Sequence, residues 1–375
     1  MSDKQSMSHP ENDPRYIGLN VNAGIERPQA VKEESVNRFL KKNHRRKLSV
    51  SDYIQGIREG NISLLSQAIT LVESNKPEHQ KVAQDIIVNC LSYAGKSVRV
   101  GITGVPGAGK STFIESLGKL ITSKGGKLAV LAIDPSSERS KGSILADKTR
   151  MEELSSNPSA YIRPSPSAGS LGGVARKTRE TIILCEAAGF DTIIIETVGV
   201  GQSETVVHSM VDFFLLIQIA GAGDELQGIK RGIMEMADAI VINKADGDNI
   251  EKANLAASQF RNALHLFPPS VLGWIPCVLT CSAKQNTGVA EIWDTVKEYL
   301  KLAKSNQYFD KSRHDQAKYW MYETINETLK NNFYHNTRIR HQLSEYEQMV
   351  LSDKLSSFAA ANKLLQNYFK MVGNE

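Results

Sequence analysis

The stretch 98–111 has the sequence VRVGITGVPGAGKS and combines two local patterns. Its first part, Val98–Thr103, is rich in β-branched residues, which predicts a strand. Its second part, Gly104–Ser111, matches the pattern G-x-x-x-x-G-K-[ST], and a helical stretch follows it. In this strand-loop-helix order, the pattern indicates a loop that binds phosphate at a helix N-terminus. We call residues 104–111 the P-loop.

The P-loop is expected to offer two kinds of phosphate contact and one metal ligand. Its glycines let backbone N–H groups surround a β-phosphate, Lys110 reaches the β and γ oxygens, and the Ser111 hydroxyl binds Mg²⁺. The residues predicted to contact the nucleotide here are Gly104, Pro106, Gly107, Ala108, Gly109, Lys110, Ser111 and Thr112. The P-loop alone does not identify the base.

The base is indicated by the sequence NKAD at 243–246, which follows the predicted strand Ala239–Asn243 and matches N-K-x-D. The Asp246 carboxylate can accept from guanine N1–H and from the N2 amine, two donors that adenine does not present together. Asn243 is expected at the other edge of the purine, with the Lys244 stem over the ring. Taken alone, this tetrapeptide also fits a strand that ends in a helix capped by Asp246.

Two further stretches complete the predicted nucleotide site. Ser282 and Ala283 follow the last predicted strand and fit a loop whose backbone N–H contacts guanine O6. The sequence ETVG at 196–199 ends another strand, so that Glu196 is expected to hold Mg²⁺ through water and the Gly199 N–H to meet the γ-phosphate. The predicted catalytic residues are Lys110, Glu196 and Gly199, and the predicted ligands are GTP or GDP with Mg²⁺.

The residue after Gly199 bears on the rate of hydrolysis. It is Val200, where Ras-like enzymes have the glutamine that orients the attacking water. Unaided hydrolysis is therefore expected to be slow and open to acceleration by a partner. Gln202 is a candidate for the role of that glutamine, and the sequence leaves open where its side chain lies.

Composition places the chain among globular proteins of more than one domain. Its 375 residues are 41% hydrophobic and 23% charged, with a net charge of +4. The basic run at 41–47 is interpreted as a solvated segment and not as a nucleic-acid site. No apolar stretch approaches the ~18 residues of a membrane span, and the polar start of the chain is unlike a leader. We expect a cytoplasmic protein without a membrane or nucleic-acid partner.

Short apolar runs alternate with helical stretches from Ser97 to about Leu302, which predicts an α/β fold. Its sheet is expected to be mostly parallel, with helices on both faces and the ligand site at the carboxyl ends of the strands. The predicted strands are Val98–Thr103, Leu128–Ile133, Thr192–Glu196, Phe213–Ile219, Ala239–Asn243 and Ile275–Thr280.

Four segments are predicted along the chain. They are an extended or disordered arm at 1–48, a helical segment at 49–96, a G domain at 97–304 and a helical extension at 305–375. In the extension, apolar stripes are formed by Met321, Ile325, Leu329 and Phe333, and by Leu355, Phe358, Ala361 and Leu365. Periodicity leaves open whether they pack against the main domain or against another subunit.

The four cysteines are Cys90, Cys185, Cys277 and Cys281. The last two are spaced C-x3-C on a predicted strand, without the second cysteine or histidine pair of a zinc site. We interpret all four as reduced, buried thiols.

Six further stretches are characteristic of one protein family. They are DPSS at 134–137, GSILADKTRM at 142–151, RPSP at 163–166, LGGVAR at 171–176, ETVGVGQSE at 196–204 and GAGDELQGIK at 221–230. Together they resemble MeaB, the bacterial GTPases that chaperone methylmalonyl-CoA mutase, a family earlier named ArgK and represented in humans by MMAA. The resemblance extends from Ser49 to the C-terminus, and the first 48 residues do not share it.

This resemblance implies a SIMIBI-type P-loop NTPase that forms a homodimer through its C-terminal helical extension. It implies an Mg²⁺ site of Ser111, Asp134, Asp147 and Glu196, although either aspartate taken singly also fits a turn or a cap. It assigns Asp224, Gln227 and Lys230 to a loop that relays the nucleotide state to the mutase. The implied function is a GTP-hydrolysing chaperone that gates adenosylcobalamin delivery to methylmalonyl-CoA mutase, or a related B12-dependent mutase, and protects it.

Two other functions compete with this one. The first is an ATP-dependent kinase or ATPase of an amino-acid transport system, against which the sequence at 243–246 argues because it recognises guanine. The second is a metal-insertion GTPase of the nickel type. That function needs a histidine-rich or paired-cysteine tract, which the eight scattered histidines do not supply.

Overall fold

Seven parallel strands form one sheet, in the order β3-β2-β4-β1-β5-β6-β7. The computed structural model describes residues 48–133, 151–165, 171–197, 203–221, 231–268 and 270–372. The strands are β1 (Val98–Gly104), β2 (Leu128–Ile133), β3 (Ala160–Ser165), β4 (Thr192–Thr197), β5 (Phe213–Ile219), β6 (Ala239–Asn243) and β7 (Cys277–Thr280). Because the strands are parallel, all their carboxyl ends meet at one edge of the sheet.

Helices cover both faces of the sheet within the described residues. They are α1 (Val50–Arg58), α2 (Ile62–Glu73), α3 (Pro77–Cys90), α4 (Lys110–Ser123), α5 (Glu152–Ser155), α6 (Leu171–Ala187), α7 (Ser203–His208), α8 (Arg231–Met236), α9 (Ile250–Leu264), α10 (Val289–Ser305), α11 (Tyr308–His335), α12 (Thr337–Leu351) and α13 (Ser357–Val372). Helices α4 and α10 share one apolar core with β1 and β5. A second core joins α8 and α9 to the opposite face of β5 and β6.

The α/β fold is confirmed, and the six predicted strands are all present. The last of them begins at Cys277 instead of Ile275, because Pro276 has no N–H to donate to a neighbouring strand. The sequence analysis missed β3, which lies at the edge of the sheet and contains Pro164. Proline is tolerated at an edge, so a strand of this composition carries no clear signal.

The segment α1–α3 packs against α6. Ser49 and Asp52 form a capping box at the start of α1. The apolar stripe of α2, formed by Leu65, Ala68, Ile69 and Val72, is buried. Arg163 of β3 forms an ion pair with Glu73 of α2, which ties these helices to the sheet.

The C-terminal extension, formed by α11–α13, packs differently from the predicted stripes. Helix α11 buries Trp320, whereas Met321, Ile325 and Leu329 are exposed. In α13 the buried residues are Ala360 and Leu364. The predicted face of α13, which includes Phe358 and Leu365, lies at the surface. Most residues of both predicted stripes therefore lie at the surface of the chain.

Two further features concern the described residues. None of their helices is both long and apolar enough to cross a membrane. The four cysteines are free thiols, three of them buried and Cys277 partly buried. The basic run at 41–47 lies outside the described residues.

Candidate functional site

The P-loop connects β1 to α4 at the carboxyl edge of the sheet. Its glycines at 104, 107 and 109 have φ values of 152°, 80° and 84°, which other residues rarely adopt. A side chain at Gly104 would overlap the carbonyl oxygen of Ile217 in the neighbouring strand. At Gly109, an added Cβ would lie 2.7 Å from Asn243 Nδ2. Glycine is required at both positions because backbone and amide groups occupy the space of a side chain.

Lys110 is the first residue of α4 and is 8% exposed. Its ammonium group donates to the carbonyl oxygens of Gly104 at 2.9 Å and Val105 at 3.2 Å. The side chain therefore folds back across the P-loop and presents its charge inside the loop. A cation held in this position suits the β and γ oxygens of a bound triphosphate.

Ser111, in the first turn of α4, meets Glu196 of β4. The Ser111 hydroxyl donates to Glu196 Oε1 at 3.2 Å. A hydroxyl and a carboxylate are the hard oxygen donors that Mg²⁺ prefers, so the chemistry of this pair fits that ion. Among the described residues, no group of three or more acidic, histidine or cysteine side chains is placed to hold a metal.

Asn243 links the P-loop to the loop after β7, residues 281–288, which we call the base loop. Its Nδ2 donates to the Ala108 carbonyl at 2.8 Å. Its Oδ1 accepts from the Ala283 N–H at 3.1 Å and from Cys281 Sγ at 3.4 Å. Burial raises the pKa of Cys281 to about 12, which keeps the thiol protonated as a donor. Asn243, 2% exposed, thus holds the phosphate-binding and base-binding parts together.

Asp246 faces the base loop and not the helix that follows it. The Ser282 hydroxyl donates to Asp246 Oδ2, and Gln285 N–H donates to the same hydroxyl at 3.2 Å. Asp246 precedes a short 3-10 helix, Gly247–Asn249, but makes no side-chain capping bond to it. The alternative role for Asp246, a helix cap, is thus not the one its side chain adopts.

Lys244 has a φ of 60°, an unusual value for a residue with a side chain. The Asn249 side chain donates to its carbonyl oxygen at 2.7 Å and stabilises this conformation. The exposed Lys244 stem lies near Gly109 of the P-loop. Strained residues of this kind are concentrated at functional sites.

One contact at the site was not predicted from the sequence. Ser116, in the second turn of α4, donates to the Ala283 carbonyl at 2.6 Å and so fixes the base loop against the P-loop helix. A serine at this position matches no motif. Of the other predicted residues, Pro106 and Thr112 are exposed, and Gly107 is exposed in the P-loop turn.

Several predicted site residues lie outside the described residues. They are Asp134, Asp147, Gly199, Asp224, Gln227 and Lys230, together with Val200 and Gln202. The structure therefore brings together the P-loop, Glu196, the sequence at 243–246 and the base loop at one edge of the sheet.

A P-loop joined to N-K-x-D at the carboxyl edge of a parallel sheet defines a P-loop GTPase. The sequence signature of the family described as "Methylmalonyl Co-A mutase-associated GTPase MeaB" matches residues 65–338. The chain belongs to this family.

Individual relatives agree with this assignment. A probable GTPase of Mycobacterium tuberculosis is 48% identical over 85% of this chain and 95% of its own length. GTPase ArgK of Escherichia coli is 43% identical over the same shares. The mitochondrial methylmalonic aciduria type A homolog of Mus musculus is 46% identical over 84% of this chain and 78% of its own. A solved structure described as a LAO/AO transport system kinase has a TM-score of 0.70 and 37% identity, covering 86% of this chain and 98% of that one.

Proposed function

We propose that this GTPase is a chaperone that gates adenosylcobalamin delivery to methylmalonyl-CoA mutase, or to a related B12-dependent mutase, and protects it. The observation that carries the proposal is the family match over residues 65–338, because the family is described by its association with that mutase. The relative from Mus musculus, named for methylmalonic aciduria, supports the same partner. In this role GTP hydrolysis acts as a timer, and the protein makes no small-molecule product besides GDP and phosphate.

The proposed hydrolysis rests first on Lys110 and the P-loop, where the Lys110 ammonium is held by the carbonyl oxygens of Gly104 and Val105. Lys110 stabilises negative charge on the β and γ oxygens, and the P-loop N–H groups surround the phosphates. The proposed metal is Mg²⁺, held by Ser111 and Glu196 with Asp134 and Asp147, and it would neutralise charge between the β- and γ-phosphates. Gly199 is the proposed N–H donor to the γ-phosphate. Asp246 selects guanine, which favours GTP over the ATP of a transport kinase.

The proposed partner relay involves Asp224, Gln227 and Lys230, as the resemblance to the family suggests. The competing function of a metal-insertion GTPase gains no specific support from the described residues. We propose that the protein acts in the cytoplasm, where its nucleotide and a reduced environment for its thiols are both present.

We further propose that the chain forms a homodimer through the C-terminal extension. Helices α11–α13 line a mostly apolar groove of about 850 Å³, which includes Leu329, Leu365 and Phe369. Phe358 and Phe369 are 83% and 64% exposed on α13. A concentration of exposed apolar side chains is typical of an interaction surface, and a second copy would bury it.

The mutase proposal is tested with purified proteins. GTP hydrolysis is measured with and without methylmalonyl-CoA mutase, and adenosylcobalamin loading of the apo-mutase is measured with GTP, GDP or a non-hydrolysable GTP analogue. We expect faster hydrolysis in the presence of mutase and loading that depends on the nucleotide. A Lys110→Ala variant is the control without phosphate binding. Unchanged hydrolysis together with nucleotide-independent loading would contradict the proposal.

The dimer proposal is tested by Phe358→Asp, with Lys363→Asp as a control that places the same charge elsewhere on α13. Sedimentation should show that only Phe358→Asp weakens self-association, by about 100-fold or more. The reason is that the substitution removes Phe358 from both subunits, and each buried side chain is worth about 1.5–3 kcal/mol. GTP binding should be unchanged in both. A monomeric unaltered protein would refute the homodimer.

A further inference from the structure

Helix α11 runs along the α/β domain from one edge of the sheet to the other. Arg313 donates to Asp212, just before β5, and to the carbonyl oxygen of Ser97, just before β1. Further along, Trp320 Nε1 donates to the Ser209 carbonyl at 3.1 Å. Glu327 follows Arg313 by four helical turns, or about 21 Å along the axis. The start of the helix is therefore fixed at the amino edge, and Glu327 lies well toward the carboxyl edge.

Glu327 contacts the first turn of α6. An added Cβ at Gly172 would lie 2.9 Å from Glu327 Oε2 and 3.1 Å from Oε1, so the carboxylate covers this glycine. The Gly173 N–H donates to the carboxylate, and Arg176 attracts it. Burial raises the pKa of Glu327, and these two partners oppose that rise. The contact is thus a carboxylate from α11 that accepts from the Gly173 N–H in the first turn of α6, where negative charge is favoured.

The first turn of α6 belongs to the nucleotide edge. Strand β3 ends at Ser165 on this edge, and α6 leads back from there to the start of β4. Strand β2 pairs with both β3 and β4, and β4 carries Glu196 near its carboxyl end. In this sheet, β2 is the strand that lies between β3, which precedes α6, and β4, which carries Glu196.

We propose that Glu327 is a positioning residue that couples the nucleotide edge, through the first turn of α6, to the C-terminal extension. This inference rests on the proposed GTP-dependent function. It names the side chain through which nucleotide binding acts on the C-terminal extension. If nucleotide binding shifts the start of α6, Glu327 must follow that shift or lose its bond to Gly173. Because α11 continues into α12 and α13, the shift reaches the proposed subunit contact. Coupling of this kind is reciprocal, so the subunit contact also acts on the nucleotide.

The test is backbone hydrogen–deuterium exchange, measured by mass spectrometry with and without GDP. The proteins are the unaltered chain, Glu327→Ala, Glu327→Gln and the control Glu345→Ala, which removes an exposed glutamate from α12. In the unaltered chain and in the control, we expect GDP to slow exchange both in the P-loop and in residues 308–372. Glu327→Ala should reduce the slowing in 308–372 by about fivefold, as for an allosteric coupling, and leave that in the P-loop unchanged. Glu327→Gln keeps an acceptor for the Gly173 N–H and should retain part of the slowing in 308–372.

Two outcomes overturn the coupling. One is slowing of exchange in 308–372 that is the same in Glu327→Ala as in the unaltered chain. The other is GDP-dependent slowing that is confined to the P-loop in the unaltered chain, which would leave the GTPase function standing. Absence of slowing in the P-loop of the unaltered chain would overturn the proposed function and the coupling together.

A second variant separates coupling from loss of stability. Gly172→Ala places a methyl group where the Glu327 carboxylate lies, so the carboxylate must move. Gly172→Ala should reduce the GDP effect on residues 308–372 in the unaltered background and have no added effect in Glu327→Ala. Equal effects in both backgrounds would show that the contact does not carry the coupling.

Discussion

The carboxyl ends and the amino ends of the parallel strands form the carboxyl edge and the amino edge of the sheet. Both are held by buried polar side chains, but of different kinds. At the carboxyl edge, neutral groups join the loops: the Asn243 amide bonds to Ala108 and Ala283. At the amino edge, ion pairs dominate: Arg99 pairs with Glu186, and Arg313 pairs with Asp212. The bonds of Asn243 position the loops around the nucleotide site, whereas the ion pairs join groups within the chain. The first edge is suited to binding and the second to anchoring.

The guanidinium of Arg313 anchors the start of the C-terminal extension at the amino edge. Arg313 donates to both Asp212 oxygens, at 2.8 Å and 2.7 Å, and to the carbonyl oxygens of Gly95 and Ser97. Its guanidinium also lies 4.2 Å from the centre of the Phe309 ring. Such bidentate geometry is what makes a buried ion pair stabilising once formed and costly to break.

The largest effect is therefore expected from Arg313→Ala. Removing the guanidinium leaves the Asp212 carboxylate buried without its partner, which costs about 3–5 kcal/mol of unfolding free energy. Urea unfolding measures this loss, with Arg340→Ala as a control for an exposed arginine in the extension. GDP affinity of the folded protein should change less than about threefold, near the size of surface effects. A large loss of affinity at unchanged stability would show that the two edges do not have separate roles.

The next effect concerns base recognition at the carboxyl edge. Asp246→Asn loses acceptors for guanine N1–H and N2 amine, so GTP affinity should fall by about 30-fold or more, since bonds to a charged group are worth about 1.5–3 kcal/mol. Affinity for the xanthosine nucleotide should rise, because its oxygen at position 2 accepts from the asparagine amide. Calorimetric titration of both nucleotides measures the two affinities. An unchanged GTP affinity would mean that Asp246 serves only the Ser282 bond.

A smaller effect is expected when Glu196 is replaced by glutamine. The substitution keeps the shape next to Ser111 but removes the charge proposed to face Mg²⁺. Hydrolysis under single-turnover conditions should slow by about 10- to 100-fold, the lower part of the range for lost electrostatic stabilisation. GDP affinity should stay within about threefold, since it depends mainly on Lys110 and the P-loop amides. Parallel losses of binding and hydrolysis would identify Glu196 as structural.

Local patterns in the sequence predicted the elements of the nucleotide edge well, because each element carries its own signal. The strand before the P-loop and the N-K-x-D sequence are recognisable without knowledge of the fold. Contacts between elements carry no such signal: nothing in the sequence pairs Asn243 with Ala108 or Ser116 with Ala283. For a related reason the pattern left open whether Phe358 packs within the chain, where Ala360 is the buried residue. Periodicity finds apolar residues on a helix but does not say which of them pack within the same chain.

The smallest expected effect is a pH dependence at the amino edge. Asp238 lies just before β6, where its Oδ2 accepts from the Phe214 N–H at 2.8 Å, and burial raises its pKa to about 7. Since the unfolded value is near 3.8, the folded state binds the proton more tightly. The stabilisation that Asp238 contributes is therefore fully present below pH 4 and is lost as the pH rises through 7. Asp238→Asn removes this titration, so the stability of the unaltered protein relative to the variant should fall by about 1–2 kcal/mol between pH 6 and pH 8. Urea unfolding at both pH values measures it, with the exposed Asp85→Asn as the control, and a difference that does not vary with pH would place Asp238 outside the titrating groups.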